Sequence, residues 1–226
     1  MDKDMTVRAI LFDLDGTLLD TLDDLTDSCN AALLSCGHAP RTREEVRAFV
    51  GNGAGMLIRR ALGVDSGETF ERCLARFQAH YRQNLDNKTG PYPGVMELLD
   101  ALRARGIRLG VVSNKFDAAV APLCRKYFGE RIDVAIGEMP GVARKPAPDG
   151  PLRALKLLNV GRDQAIYVGD SPTDVETARN SGLPCLAVSW GFRSRDQLAR
   201  AGARYIIDSA GQFIKQMQII ERESQP

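Results

Sequence analysis

Asp13 and Asp15 lie two residues apart in the run Asp13-Leu14-Asp15-Gly16-Thr17, directly after an apolar stretch ending at Phe12. Carboxylates just beyond a strand are candidate site groups, because ligands of a parallel sheet bind beyond the strand ends. Taken alone, the run equally suits a turn or a helix cap, because Asp and Gly favour both. Three further runs change the balance: Ser113-Asn114-Lys115, Arg144-Lys145-Pro146 and Gly169-Asp170-Ser171-Pro172-Thr173-Asp174, each beyond another short apolar stretch. If those stretches are neighbouring strands, four carboxylates (Asp13, Asp15, Asp170 and Asp174), the polar side chains of Ser113 and Asn114, and Lys145 converge on one rim. Crowded carboxylates repel one another unless a cation intervenes or one binds a proton. An all-oxygen donor set favours Mg²⁺, which commonly joins one or two carboxylates to a substrate phosphate. A phosphate monoester dianion then approaches only where Mg²⁺ and Lys145 offset the negative charge. Gly16 leaves the backbone free to turn sharply, so that N–H groups there cradle anionic oxygens.

The elements that must position these groups are legible as short apolar runs: Ile10–Phe12, Leu109–Val112, Val134–Ile136, Ile166–Val168, Leu186–Val188 and Tyr205–Ile207. They lack strict alternation, which suits strands buried on both faces, and helical patterns between the later ones indicate βαβ units in a parallel sheet. Ligands of such sheets bind beyond the carboxyl ends of the strands, where the polar runs lie. From Asp20 to Lys88 the rhythm breaks and only helices are expected. Thr21 with Asp24 resembles a capping box, and Leu22, Leu25, Cys29, Ala32, Leu33 and Cys36 share one face, with Gly37 as the stop. Phe70, Cys73, Leu74, Phe77 and Tyr81 form a second such face, and Thr89-Gly90-Pro91-Tyr92-Pro93-Gly94 marks a linker. The expected organisation is an α/β domain of residues 1–19 and 90–226 interrupted by a helical domain of residues 20–89.

Composition excludes several other classes. In 226 residues, 30 Lys and Arg against 29 Asp and Glu leave a net charge of +1, with no electrostatic footprint for nucleic acid or an anionic membrane. The five cysteines, Cys29, Cys36, Cys73, Cys124 and Cys185, include no C-x-x-C, which argues against a zinc ribbon or dithiol redox site and for buried free thiols. Met1 to Arg8 carries charges of both signs, and the apolar stretch after it stops at Asp13, too short for a signal peptide or membrane span. A cytoplasmic protein, monomeric or homodimeric, is expected.

The run from Asp13 to Thr21 resembles the first motif of the haloacid dehalogenase superfamily, and Ser113, Lys145 and the Gly169–Asp174 run resemble its other three motifs, in order. The helical insert is similar to the mobile cap of one subclass. That resemblance implies a Rossmann-like parallel core with an all-helical cap. It further implies Asp13 as a nucleophile forming an aspartyl-phosphate, Asp15 as acid and base, and Ser113 and Lys145 as holders of the phosphoryl oxygens. Mg²⁺ would be held by the carboxylates of Asp13 and Asp170 and the backbone carbonyl of Asp15, with Asp174 in support. Dehalogenases of the superfamily lack an acid at the position of Asp15, so the resemblance points to phosphotransfer.

Specificity would come from the insert. Val50-Gly51-Asn52-Gly53-Ala54 followed by Arg60-Ala61-Leu62 resembles the cap of bacterial phosphoglycolate phosphatases. Gly51 to Gly55, opening a helix, would offer N–H groups to a second anionic group such as a carboxylate, with Gly51, Asn52, Gly53 and Arg60 the expected contacts and Arg59 an alternative source of charge. Gly16, Thr17 and Asn114 complete the expected substrate contacts. The implied partner is a small phosphorylated metabolite, 2-phosphoglycolate above all. Alternatives are a pyrophosphatase, a sugar-phosphate phosphatase or a β-phosphoglucomutase-like mutase, which usually has Val where Thr17 stands. A phospho-accepting receiver domain would be about half this length and have no helical insert.

Overall fold

The computed structural model describes residues 6–63 and 66–223; the charged Met1-Asp2-Lys3-Asp4-Met5 of the sequence reading lies outside them. In chain order the elements are β1 (Ala9–Phe12), β2 (Leu19–Asp20), α1 (Leu22–Ser35), α2 (Arg43–Phe49), α3 (Ala54–Leu62), α4 (Glu68–Asn84), β3 (Gly90–Pro91), α5 (Val95–Ala104) and β4 (Arg108–Phe116). There follow α6 (Asp117–Phe128), β5 (Val134–Glu138), α7 (Asp149–Leu158), β6 (Ala165–Gly169), α8 (Pro172–Ser181), β7 (Cys185–Val188), α9 (Arg195–Arg200), β8 (Tyr205–Ile207) and α10 (Phe213–Glu223). The chain divides into two compact units, Met1–Leu18 with Pro91–Pro226, and Leu19–Gly90.

In the first unit all six apolar runs read from the sequence pair as parallel strands, in the order β5-β4-β1-β6-β7-β8. Every residue of β1 is buried, as a central strand covered on both faces requires. Ala9, Leu11, Val112, Ile136, Leu155, Leu158 and Tyr167 share one apolar cluster. After β1 the sheet grows outward through β4 and β5, then returns to the other side of β1 with β6. This reversal opens a crevice beyond the carboxyl end of β1, the usual ligand position in an open α/β sheet. Ser113, Asn114 and Lys115 differ from the sequence expectation: β4 does not stop at Val112 but continues through Phe116, with a shift of register against β5 between Val112 and Phe116. An irregularity of that kind re-aims side chains at a strand end.

The second unit is helical as expected, apart from the two-residue strand β2, which pairs with β3 where only helices are expected from the sequence. Leu22, Leu25, Cys29, Ala32 and Leu33 form the buried face of α1, and Phe70, Cys73, Phe77 and Tyr81 that of α4. Helix α1 closes with His38 N–H donating to the Leu33 carbonyl at 2.9 Å beside Gly37 at φ +82°, the expected stop. Thr21 and Asp24 do not form the expected capping box. Thr21 has φ −111° and ψ 4°, away from the extended geometry that lets a cap side chain reach back, and its Oγ1 has no partner. Asp24 instead accepts from Lys88 N, Thr89 N and Thr89 Oγ1 at 3.0, 2.9 and 2.8 Å, anchoring the end of the unit onto α1.

All five cysteines are free; Cys29, Cys73 and Cys124 are buried, whereas Cys36 and Cys185 are partly exposed. Burial pushes the thiols of Cys29 and Cys124 up to about 11 and about 12 respectively, which keeps them protonated. No helix among the described residues is long and apolar enough to cross a membrane.

Candidate active site

Asp13 is the first residue beyond β1, and its backbone N–H donates to the Val168 carbonyl of β6 at 2.8 Å, so the neighbouring strand sets its position. The turn that follows is closed by Leu18 N–H donating to the Leu14 carbonyl at 3.0 Å. Asp170 leaves the end of β6, and Asp174 lies in the first turn of α8. Carboxylate oxygens of Asp13, Asp170 and Asp174, all buried, lie within 4.8 Å of one another. Lys145, in the loop between β5 and α7, places Nζ 2.8 Å from both Asp13 Oδ1 and Asp174 Oδ1, its side chain 4% exposed.

The surrounding bonds sort these groups. Asp174 Oδ2 accepts from Ser171 N–H at 3.1 Å and Ser171 Oγ at 2.6 Å, a capping box at the start of α8, while the Tyr167 hydroxyl donates to Oδ1 at 3.4 Å. Asp170 accepts from Thr17 Oγ1 at 3.2 Å and from Phe192 N–H at 2.7 Å. Gly16, at φ +87°, passes so close that a Cβ there would collide with the Asp170 carboxylate, and one at Gly191 would strike both the Gly16 carbonyl and Asp170. Asn114 forms a reciprocal pair with the backbone of Lys145: its Nδ2 donates to the carbonyl at 3.1 Å, and its Oδ1 accepts from N–H at 2.9 Å. Thr17 and Asn114, expected against substrate, thus use their side chains to hold Asp170 and Lys145. Asp15 directs its carboxylate to Lys115 Nζ, 2.7 Å away, and is not one of the clustered three.

A family model of the haloacid dehalogenase-like hydrolases matches residues 10–188. The chain belongs to this family. Phosphoglycolate phosphatase of Rhodospirillum rubrum is 42% identical over 211 residues, 89% of this chain and 87% of that protein. The phosphoglycolate phosphatase of Pseudomonas fluorescens is 36% identical over 210 residues, 89% of this chain and 76% of its own. A crystal structure from Lactobacillus delbrueckii subsp. bulgaricus superposes with a TM-score of 0.88 at 37% identity, covering 98% of this chain and 99% of that one.

The electrostatics of this haloacid dehalogenase-like site suit a divalent cation. Burial, with repulsion from Asp174 and Asp170, raises the Asp13 carboxyl well above the usual range although Lys145 opposes the shift. Burial and the Asp174 charge push Asp170 up to about 7. For Lys145 burial disfavours the ammonium, but Asp13 and Asp174 outweigh it and hold the group well above its ordinary value. Three buried carboxylates and one lysine leave an excess of negative charge among hard oxygen donors, the chemistry that a hard divalent cation satisfies. The fit supports the family's metal dependence.

A pH dependence follows. A carboxyl raised in the folded state binds its proton more tightly there than in the unfolded chain, so folding stability contributed at low pH is lost as pH rises from about 4 to about 7. A divalent cation held by the same carboxylates would compete with that proton. Thermal melts should therefore show Mg²⁺ raising Tm over EDTA by several degrees near pH ~8 and by much less near pH ~5.5. The difference between the two buffers cancels carboxylates elsewhere, such as Asp100, whose pairing with Arg131 shifts it the other way. An equal Mg²⁺ increment at both pH values would sink this account.

In the helical unit, Gly53 caps α3 at φ +83° with no side-chain cap bond, and Gly51 has φ +115°. Arg60 donates to the Phe49 carbonyl at 2.6 Å and to Asn52 Oδ1 at 2.9 Å, so its guanidinium grips the Gly51–Gly53 loop. Arg59 lies over the Phe70 ring, 5.2 Å from its centroid. The sequence reading missed Lys115, Tyr167, Ser171, Gly191 and Phe192. Lys115 stands in the run Ser113-Asn114-Lys115 after Val112, and Gly191 and Phe192 follow the end of β7, so the position of ligand sites beyond strand ends is the signal that points to them. Nothing in the sequence pairs Tyr167, inside a strand, with Asp174.

Proposed function

We propose that this phosphatase hydrolyses 2-phosphoglycolate to glycolate and phosphate through an aspartyl-phosphate on Asp13, with Mg²⁺ as cofactor. The observation that carries the reading is the 2.8 Å contact between Asp13 and Lys145 inside the buried carboxylate cluster, which sets a nucleophile beside a fixed cation. The named relatives support the substrate. The carboxylates of Asp13 and Asp170, with the Asp15 backbone carbonyl and Asp174 in support, would hold Mg²⁺, which when bound offsets the charge of the phosphoryl group. A carboxylate oxygen of Asp13 attacks phosphorus as the ester P–O bond breaks, and Asp15 gives its proton to the departing glycolate oxygen. Asp15, now ionised, takes a proton from the water that attacks phosphorus, and the acyl-phosphate bond breaks to return Asp13 and release phosphate. Ser113 and Lys145 hold the phosphoryl oxygens, and Gly16 offers backbone N–H to them.

Residues 20–89 serve as the cap in this reading, and the Gly51–Gly53 loop, held by Arg60, reads the substrate carboxylate. The test is phosphate release with Mg²⁺ across 2-phosphoglycolate, pyrophosphate, β-glucose 1-phosphate and p-nitrophenyl phosphate. The expected preference is for 2-phosphoglycolate over the neutral sugar phosphate. Arg60→Ala should lower kcat/KM for 2-phosphoglycolate by ~10-fold, about one charge-assisted hydrogen bond, and change p-nitrophenyl phosphate far less. Equal losses on both substrates would remove the carboxylate-reading role, and a preference for the sugar phosphate would overturn the substrate.

A further inference from the structure

The geometry points to Lys115 as a positioning residue for the acid–base carboxylate, a role that rests on the reading of Asp15 above. Two carboxylates only two residues apart must do different work: one attacks, the other moves protons. Each has its own lysine. Asp13 is paired with Lys145 Nζ at 2.8 Å and Asp15 with Lys115 Nζ at 2.7 Å, and Lys115 is the more deeply enclosed of its pair, its side chain 3% exposed against 16% for Asp15. A lysine that deep, in contact with the Asp15 carboxylate, holds a direction rather than a solvated surface contact, where such pairs contribute little.

The end of β4 is built for this division. Asn114 locks the backbone of Lys145 through its reciprocal amide pair, and the next residue, Lys115, locks Asp15. The backbone N–H of Lys115 also donates to Ser113 Oγ at 3.2 Å, so the same residue orients a phosphoryl-holding hydroxyl. Asp15 lies outside the cluster of Asp13, Asp170 and Asp174. The Lys115 ammonium, 2.7 Å from Asp15 Oδ1, keeps that carboxylate turned away from a cation held by the cluster. A proton donor and acceptor must lie within hydrogen-bond reach of the oxygen it serves, so a carboxylate released from Lys115 loses both half-reactions.

The test uses a leaving-group contrast. p-Nitrophenolate departs with little protonation, so formation of the aspartyl-phosphate from p-nitrophenyl phosphate needs little help from Asp15, whereas water attack still needs it. Lys115→Met should therefore release about one equivalent of p-nitrophenolate per enzyme in a burst and then turn over ~10- to 100-fold more slowly than the parent, with phosphate trapped on Asp13. On 2-phosphoglycolate the same variant should lose a similar factor in kcat without a burst, since leaving-group protonation is itself slowed. Lys115→Arg, which keeps the charge, should recover part of the rate. If Lys115→Met does not fold, Lys115→Gln, which removes the charge but keeps a polar amide, carries the same measurement. Turnover within twofold of the parent on both substrates, or a loss on both without accumulation of phosphoenzyme, overturns the assignment. Failure of the parent protein to hydrolyse any phosphate monoester would instead reject the phosphatase reading itself.

Discussion

Asp13→Asn is expected to lower kcat on every phosphate monoester by ~10⁴-fold or more, and no phosphoryl-enzyme should be trapped. The amide has the size of the carboxylate but is a far poorer nucleophile, so the covalent route closes while the site keeps its shape. A loss of that size corresponds to roughly 5.5 kcal/mol of transition-state stabilisation, more than any single hydrogen bond would account for. Folding should not suffer. Asp13 is buried against two other carboxylates that repel it, and Lys145 keeps its second partner, Asp174, at 2.8 Å when Asp13 is neutralised. Melting temperature should thus hold or rise in metal-free buffer, separating loss of chemistry from loss of fold. Asp15→Asn provides the contrast, because a better leaving group should still phosphorylate Asp13 in that variant. Rapid quenching, borohydride reduction and mass spectrometry locate the phosphate, and a label on Ser113 in the parent protein would reassign the nucleophile.

Chelation with EDTA should abolish turnover, by ~10³-fold or more, and added Mg²⁺ should restore it. The reason is arithmetic of charge: three buried carboxylates within 4.8 Å of one another face a phosphate dianion, and Lys145 alone cannot offset them. Asp170→Asn should raise the Mg²⁺ concentration needed for half-maximal rate at least tenfold while leaving the Asp13–Lys145 contact in place, because Asp170 meets Thr17 and Phe192 rather than Lys145. Asp174→Asn should behave differently. It removes one of the two carboxylates on Lys145 and weakens the Ser171 cap of α8, so Tm should drop by several degrees together with activity. Full activity in metal-free buffer would refute the charge argument, and a Mg²⁺ requirement unchanged in Asp170→Asn would remove that residue from the metal site.

Much of this molecule was legible from residue types alone. Six apolar runs too short for helices and lacking alternation identify buried parallel strands, because only strands covered on both faces dispense with a polar side. Polar residues placed just beyond those runs then fall on one rim, since parallel strands all end on the same edge; Asp13, Lys145, Asp170 and Asp174 meet there. The periodic faces of α1 and α4 were equally plain. What sequence could not reach were choices between partners of similar chemistry. Thr21-x-x-Asp24 has the spacing of a capping box, yet Asp24 binds Thr89 and Lys88, some sixty-five residues on, because the backbone at Thr21 is not extended. Thr17, Asn114 and Arg60 are read as substrate contacts, and what holds them is visible only in the fold: hydrogen bonds to Asp170, the Lys145 backbone and the Phe49–Asn52 loop. The pairing of two lysines with two neighbouring aspartates is of the same kind. Residue spacing along a strand end says which groups arrive at the rim, but which ammonium faces which carboxylate is a matter of a few ångströms, set by the shift of register in β4 and the packing around it.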